Sequence, residues 1–463
     1  MRLKVDVLVA EVGSTTTTVN AFLLGESARF LGQGVSPTTV DQGDVTIGLR
    51  QAVEDLAHNL GARDIESART MAASSAAGGL SMSVHGLVLD MTARAAKEAA
   101  LGAGAVVRMV TAGDLTELDI QELARIKPKM ILLAGGVDHG EKATVIKNAK
   151  FLADYLEKNK PEDGDVFRPP VVYAGNVAAR KEVAAALVGK GVRVYFVDNV
   201  FPRVDELVVE PARKVIQDVF EEHITRAPGM DDIRRMVDGP IMPTPGAVME
   251  ACRLLRPILG EICAVDVGGA TTDVHSVAKG SPEIQDILES PEPLAKRTVE
   301  GDLGIYFNAK NVLLEAGERA ERDLGFDPKP RLESLEIFPR EKTQIALASY
   351  LTRVAAEVAF SRHVGRFRYL YGPSGRQTLA SGKDLTSVKT IIGTGGPLTR
   401  LPGGRDTLAQ LVGRGPGREL YPKDARVVLD SEYVMAACGV LSREYPKEAA
   451  LILLRSLGLE LTS

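Results

Sequence analysis

Short apolar runs that end on glycine alternate along this chain with longer stretches whose apolar residues recur every three or four positions. Val5–Leu24 is apolar on both sides of a polar tip, which predicts a hairpin, and Arg29–Val35 predicts a third strand ending near Pro37. Asp44–Leu60 places Val45, Leu49, Val53, Leu56 and Leu60 on one helical face, with Asp44 at the cap. Ala68–Ala73 reads as a short strand running into a loop at Gly78-Gly79. A helix at Asp90–Gly102, a strand at Ala105–Val110 and a helix at Asp114–Ile126, stopped by Pro128, follow. Next come a Met130–Ala134 strand, a Lys142–Lys158 helix and a polar loop at Pro161–Pro170. Val171–Ala174 and Val192–Val197 read as strands around a Val177–Val188 helix. Pro202–Met242 is more charged and reads as helical, an insertion or a cover for a sheet edge, until Pro243-Thr244-Pro245-Gly246 breaks it.

The second half repeats the style. A Gly246–Leu255 helix leads into a hairpin at Cys263–Val277, then a strand at Ile284–Leu288 and helices at Leu303–Leu314 and Thr343–Arg362. Pro328–Pro339 is a proline-flanked loop, and Phe367–Ser381 is irregular or paired as a hairpin. Leu401–Gly417 is rich in Gly and Arg and should be exposed; Glu432–Leu441 and Lys447–Leu457 close the chain as helices. Strands alternating with helices predict an α/β architecture.

The Cys263–Val277 hairpin reads C-A-V-D-V-G-G-A-T-T-D-V-H-S-V. Gly268 and Gly269 let backbone approach a ligand closely. The turn N–H groups and the hydroxyls of Thr271 and Thr272 can donate to phosphate oxygens. Asp266 and Asp273 can hold a hydrated Mg²⁺ beside it. A plain Gly-rich hairpin with polar tips is the alternative, and short glycine motifs alone do not exclude it. The chain repeats the pattern, however. Asp6–Leu24 reads D-V-L-V-A-E-V-G-S-T-T-T-T-V-N-A-F-L-L, with Glu11 in the place of Asp266, Gly13 in that of Gly268, and Ser14 to Thr18 supplying hydroxyls. Lys129–Val137 and Lys389–Leu398 form a second pair, each a strand ending on a double glycine, and Val192–Asp198 and Ala425–Asp430 a weaker third. Such long-range repetition predicts two similar lobes, each offering a phosphate-binding hairpin to a shared cleft.

A chain of 463 residues has room for two cores. The net charge of −5 argues against nucleic acid as the main partner. Cys252, Cys263 and Cys438 lie apart and read as reduced, buried and cytoplasmic, with neither a disulfide framework nor a metal site. No segment reaches the length of a transmembrane helix, and Asp6 and Glu11 make the N-terminus a strand pattern instead of a signal peptide.

With these motifs in order, the sequence resembles the actin, sugar kinase and heat-shock-70 ATPase superfamily. Glu11–Thr18 resembles its first phosphate motif, Asp266–Asp273 the second and Ile392–Leu398 the adenosine motif; Pro245–Ala251 and Ala436–Val440 stand where its two connecting helices belong. More narrowly, A-E-V-G-S-T-T-T, I-L-L-A-G-G-V-D-H-G, A-V-D-V-G-G-A-T-T-D-V-H-S-V and I-I-G-T-G-G-P-L look like the MutL family. That family is named for the accessory protein encoded beside coenzyme-B12-dependent glutamate mutase. It is related to the hydantoinase and oxoprolinase branch and distinct from the mismatch-repair protein of the same name.

The resemblance implies a duplicated two-lobe, ribonuclease-H-like fold with a nucleotide cleft between the lobes. The first lobe would span 1–250, completed by helices at 431–463, and the second 251–430. It implies an ATP- and Mg²⁺-dependent reactivating chaperone whose partners are the subunits of a B12-dependent mutase. On this reading Glu11 and Asp266 hold Mg²⁺ through waters. Gly13, Ser14, Thr15, Thr16, Gly268, Gly269, Thr271 and Thr272 clasp phosphates, and Gly395, Gly396 and Pro397 pack beside the adenosine. Asp266 and Asp273 are the catalytic candidates, Asp273 to orient the attacking water. Asp273 can equally satisfy its own turn, and Gly395-Gly396 can be a plain strand-to-helix turn. Two departures stand out: the superfamily usually has Asp where this chain has Glu11, and Thr244 replaces the acid that heat-shock-70 relatives carry before the proline. A small-molecule kinase or hydantoinase-like hydrolase is the alternative, with His85, His139 and Glu250 as unplaced base candidates; a module that binds nucleotide only as a structural ligand is a third.

Overall fold

The computed structural model describes residues 2–39, 44–75, 80–103, 105–158, 168–204, 206–224, 230–372, 375–414 and 417–459. Its strands, in chain order, are β1 (Arg2–Val12), β2 (Thr16–Leu23), β3 (Arg29–Pro37), β4 (Asp64–Ser74), β5 (Ser81–Gly86), β6 (Val106–Ala112), β7 (Met130–Leu133), β8 (Val171–Tyr173) and β9 (Val194–Phe196). There follow β10 (Ile241–Pro243), β11 (Ile262–Val267), β12 (Thr272–Val277), β13 (Ala295–Glu300), β14 (Arg366–Gly372), β15 (Gly375–Ser381), β16 (Thr390–Thr394) and β17 (Arg426–Leu429).

Two of the sheets have the same plan. The first runs β10-β4-β1-β2-β3 and the second β17-β16-β11-β12-β13. In each, a three-stranded antiparallel meander is extended beyond its first strand by two parallel strands. Counted within each sheet, the order is 3-2-1-4-5. This duplicated, ribonuclease-H-like α/β arrangement is the two-lobe fold expected from the sequence. The helix Thr244–Leu259 carries the chain from β10 to β11. The helices Met435–Leu441 and Pro446–Ser456 follow β17, and Arg455 donates to the Ala28 carbonyl beside the first sheet. The Thr244–Leu259 and Met435–Leu441 helices pack so closely that a Cβ on Gly439 would lie 1.8 Å from the Ala247 carbonyl oxygen. Only glycine permits that approach.

Strand alternation sorts the side chains of both sheets. Cys263, Val265 and Val267 of β11 join a core with the long Lys342–His363 helix. Ile262 and Ala264, on the opposite face, join Val7 and Val9 of β1 in a core built around the two crossing helices. Each fully buried side chain of this size contributes about 1.5–3 kcal/mol.

The chain divides into two compact units: 1–77, 226–289 and 294–463 make one, 78–225 and 290–293 the other. Both duplicated sheets belong to the first unit. Residues 78–225, which the sequence reading placed within the first lobe, form the second. Its sheet, β6-β5-β7-β8-β9, is wholly parallel. Two repeat pairings are corrected here. Lys129–Val137 contains β7 of this parallel sheet and is no counterpart of β16; that counterpart is β4, which pairs β1 as β16 pairs β11. Likewise Val192–Asp198 contains β9, and the counterpart of β17 is β10. Of the expected Ile284–Leu288 strand, Ile284 and Gln285 belong to a short helix, Pro282–Gln285, and only Leu288 pairs, as an isolated parallel bridge to Ala380. Pro202–Met242 divides into the helices Glu210–Ile224 and Met230–Met236 and the strand β10. The Gly78-Gly79 turn and most of the Pro161–Pro170 loop lie outside the described residues.

Candidate functional site

The two hairpin turns are built alike. Gly13 N donates to Thr16 O at 2.9 Å, and Gly268 N donates to Thr271 O at 2.9 Å. A Cβ on Gly13 would stand 2.5 Å from the Thr16 oxygen, which explains glycine there. Glu11 pairs Thr18 across the first hairpin and Asp266 pairs Asp273 across the second. Both acids share strand parity with the core residues Val7 and Val9, and Ile262 and Ala264, so both emerge on the face of the crossing helices. The turns meet: a Cβ on Gly269 would lie 2.5 Å from Thr15 Cγ2.

The second turn is held from behind. The carbonyls of Gly268 and Gly269 accept from Ile305, and from Tyr306 and Phe307, and Ala270 O accepts from Asn308 Nδ2. Ser14, Thr15, Thr16 and Thr271 remain partly exposed. Thr272 does not: it is fully buried, and its hydroxyl donates to Leu303 O at 2.7 Å. Thr272 is therefore a fastener of the turn and is withdrawn from the phosphate-facing set. Asp273 is nearly buried, with Arg297 Nε and Nη2 on Oδ1 at 2.9 and 2.7 Å and the Thr271 hydroxyl on Oδ2 at 3.1 Å. Arg297, itself only 2% exposed, reaches it from β13, a strand the sequence reading missed.

β16 ends at Thr394, opposite Asp266. Gly395 follows with φ +88°; a Cβ there would sit 2.2 Å from Val267 O and 2.6 Å from Asp266 Oδ1. The glycine is thus required to lay this corner against Asp266. Gly396 faces open space, and Pro397 is buried in the first turn of the following helix.

A third acid, absent from the sequence-based site, completes the cluster. Asp430 follows β17 and is fully buried. It accepts from Thr394 Oγ1, Ser456 Oγ and the N–H groups of Val434 and Met435, tying β16 to the closing helices. Burial pushes the Glu11 carboxyl up to about 8, reinforced by Asp266 and Asp430. Burial likewise pushes Asp266 up to about 7; Asp273 adds to the rise and Arg297 opposes it. Burial raises the Tyr433 hydroxyl, and the charges of Glu11, Asp266 and Asp430 add to it, so this tyrosine stands among all three acids. Its backbone takes a left-handed φ of 52°, and its carbonyl accepts from Gln33, which also accepts from Arg400.

Among the described residues neither Glu11 nor Asp266 forms an ion pair, and no three His, Cys, Asp or Glu side chains converge as a direct metal-ligand set. Two coupled carboxylates, Glu11 buried and Asp266 partly exposed, neither of them in an ion pair, fit a divalent cation that keeps part of its water shell, as Mg²⁺ does. The other base candidates have structural surroundings. His85 is buried between Thr111 and Ser83 hydroxyls in the parallel-sheet unit. Asn176 accepts from the backbone N–H of His139. Glu250 lies 3.9 Å from Arg253. The three cysteines are buried and free.

Duplicated sheets, crossing helices and paired glycine turns define the actin-like ATPase fold class. Within it, the MutL protein family model matches residues 7–457. The chain is 36% identical over 465 residues to Protein MutL of Clostridium tetanomorphum, covering 96% of this chain and 98% of that one. The chain belongs to the MutL protein family. Nucleotide-free acetone carboxylase aligns over 95% of this chain and 70% of its own at 13% identity and a TM-score of 0.41. Nucleotide-free diol dehydratase-reactivating factor aligns over 95% and 100% at 12% identity and a TM-score of 0.34. At those scores the fold assignment rests on the strand order.

Proposed function

We propose that this protein binds ATP with Mg²⁺ at its two hairpin turns, hydrolyses it slowly, and uses that cycle to reactivate a coenzyme-B12-dependent mutase in the cytoplasm. The observation that carries the nucleotide reading is the coupling of buried Glu11 with partly exposed Asp266, neither in an ion pair among the described residues, beneath two equivalent glycine turns. The mutase reading comes from the family, named for the accessory protein of glutamate mutase.

On this reading Glu11 and Asp266 hold Mg²⁺ through waters, and bound Mg²⁺ supplies charge neutralisation for the phosphates. Turn N–H groups and the hydroxyls of Ser14, Thr15, Thr16 and Thr271 bind phosphate oxygens, and Gly268 and Gly269 admit them. Gly395, Gly396 and Pro397 line the adenosine side. Asp273, held by Arg297, orients water through the oxygen that now receives Thr271. Phosphoryl transfer needs positioning and neutralisation more than a strong base, so a slow rate suits this set. Servicing a mutase requires releasing damaged, tightly bound cobalamin, and nucleotide turnover supplies the driving force.

The test is a reactivation assay. A cognate mutase loaded with inert cobalamin is given fresh adenosylcobalamin and this protein with ATP, a non-hydrolysable analogue or no nucleotide. Recovery confined to Mg²⁺-ATP supports the proposal. Equal recovery in all three arms overturns the chaperone reading, and turnover of a small substrate would favour a kinase or hydrolase instead.

A further inference from the structure

Charge is distributed unevenly along this acidic chain. Residues 362–426 hold twelve Lys and Arg against four Asp and Glu, a net of +8 within a chain of −5. The β14–β15 hairpin lies in this stretch as a two-stranded sheet apart from the larger ones. Arg366, Arg368 and Arg376 of the hairpin and Arg414 and Arg418 of the adjoining segment are all exposed.

The arginines are ordered, not merely numerous. The Tyr369 ring carries the guanidinium of Arg376 at 4.7 Å and that of Arg418 at 5.1 Å. Arg418 O accepts from Phe367 N and Gly365 O from Leu420 N, which fixes the adjoining segment to the base of the hairpin. Arg368 is paired with Glu289 and Arg414 lies 3.8 Å from Glu357, whereas Arg366, Arg376 and Arg418 form no ion pair among the described residues. Stacking on a ring holds the side chains in place, so less rotamer freedom is lost when they meet a partner. Leu370 stands 46% exposed on the same hairpin. Ser361, Arg414, Gly417, Glu419 and Tyr421 line a cavity of about 460 Å³.

We infer that the β14–β15 hairpin, with Arg414 and Arg418, is the docking surface for an acidic face of the protein partner. The inference rests on the proposed mutase-servicing function and names the surface through which it operates. A compact acidic protein face fits better than an extended polyanion, because the rest of the chain is acidic and would repel a long one. Complementary charge of this kind acts on encounter rate and is screened by salt.

The experiment measures binding to the purified cognate mutase at low and high salt, and to heparin as a polyanion probe. The variants are R366E/R376E/R418E and the charge-preserving R366K/R376K/R418K. The Glu variant is expected to bind the mutase about tenfold or more weakly at low salt, with the gap closing at high salt. The Lys variant should stay within about threefold of wild type. Basal phosphate release and circular dichroism should match wild type for both. A Glu variant that binds the mutase as wild type does overturns the inference, as does loss of heparin binding alone. Failure of the wild-type protein to bind the mutase in any nucleotide state overturns the functional proposal, and this surface with it.

Discussion

Glu11 and Asp266 occupy equivalent hairpin positions yet differ by a methylene, and their surroundings differ as well. Asp266 has Asp273 and Arg297 nearby, while Glu11 has only other acids. Asp266→Ala should therefore keep the fold and lower Mg²⁺-dependent phosphate release by about a hundredfold or more; unchanged turnover would remove Asp266 from the site. Glu11→Asp restores the commoner superfamily residue and should retain or raise turnover. Calorimetry showing lost ATP binding would instead make Glu11 a fitted ligand. Arg297 is bonded to Asp273 and its charge also acts on Asp266. Arg297→Met leaves the buried Asp273 without its partner and should cost about 3–5 kcal/mol of stability by urea unfolding. A variant within 1 kcal/mol of wild type, roughly the error of such a comparison, would show that the pair is dispensable.

At the scale of elements, the hairpins and connecting helices were legible because each carries a local signal. An acid followed by glycine and threonine makes the turn, and small residues mark the crossing of Ala247 and Gly439. That crossing should be intolerant: Gly439→Val places atoms inside the Ala247 carbonyl contact and should destabilise by about 3 kcal/mol or more in denaturant titration. An unaltered midpoint would mean that the helices are not so closely packed. The repeat of the parallel strands was misread for a physical reason. A strand ending on Gly-Gly is what any parallel strand feeding a helix tends to need, so β7 in one sheet and β16 in another look alike. β10 spans three residues, too few for a pattern. β13 reads A-K-R-T-V-E, and its buried Arg297 breaks the apolar alternation that would have revealed the strand. Asp430 looked like an ordinary strand end, since nothing local tells that Thr394, Ser456 and a helix start will converge on it.

At the scale of the whole molecule, the acid cluster sets a dependence on pH. Folded Glu11 titrates near 8 instead of 4.5, and Asp266 near 7 instead of 3.8. In that interval the native state binds more protons than the unfolded state, so stability falls as pH rises through the folded values. Buried histidine acts oppositely. Burial lowers His85 to about 4, so its contribution is present above 6.5 and is lost as pH falls towards 4. Below 6.5 the two effects offset one another; between 6.5 and 8 the carboxylates act alone. Each pH unit across which one group differs is worth about 1.4 kcal/mol. The protein without Mg²⁺ or nucleotide should therefore lose about 2 kcal/mol between pH 6.5 and 8. A divalent cation at Glu11 and Asp266 favours the ionised carboxylates and reverses the trend, because a ligand bound only by the native state adds stability. Thermal unfolding at the two pH values, with and without Mg²⁺-ATP, reads this directly. The gain from Mg²⁺-ATP should be larger at pH 8 than at pH 6.5, and Asp266→Ala should remove most of the difference. A flat profile without ligand would mean that the acids already have partners, and an equal gain at both pH values would place the metal elsewhere.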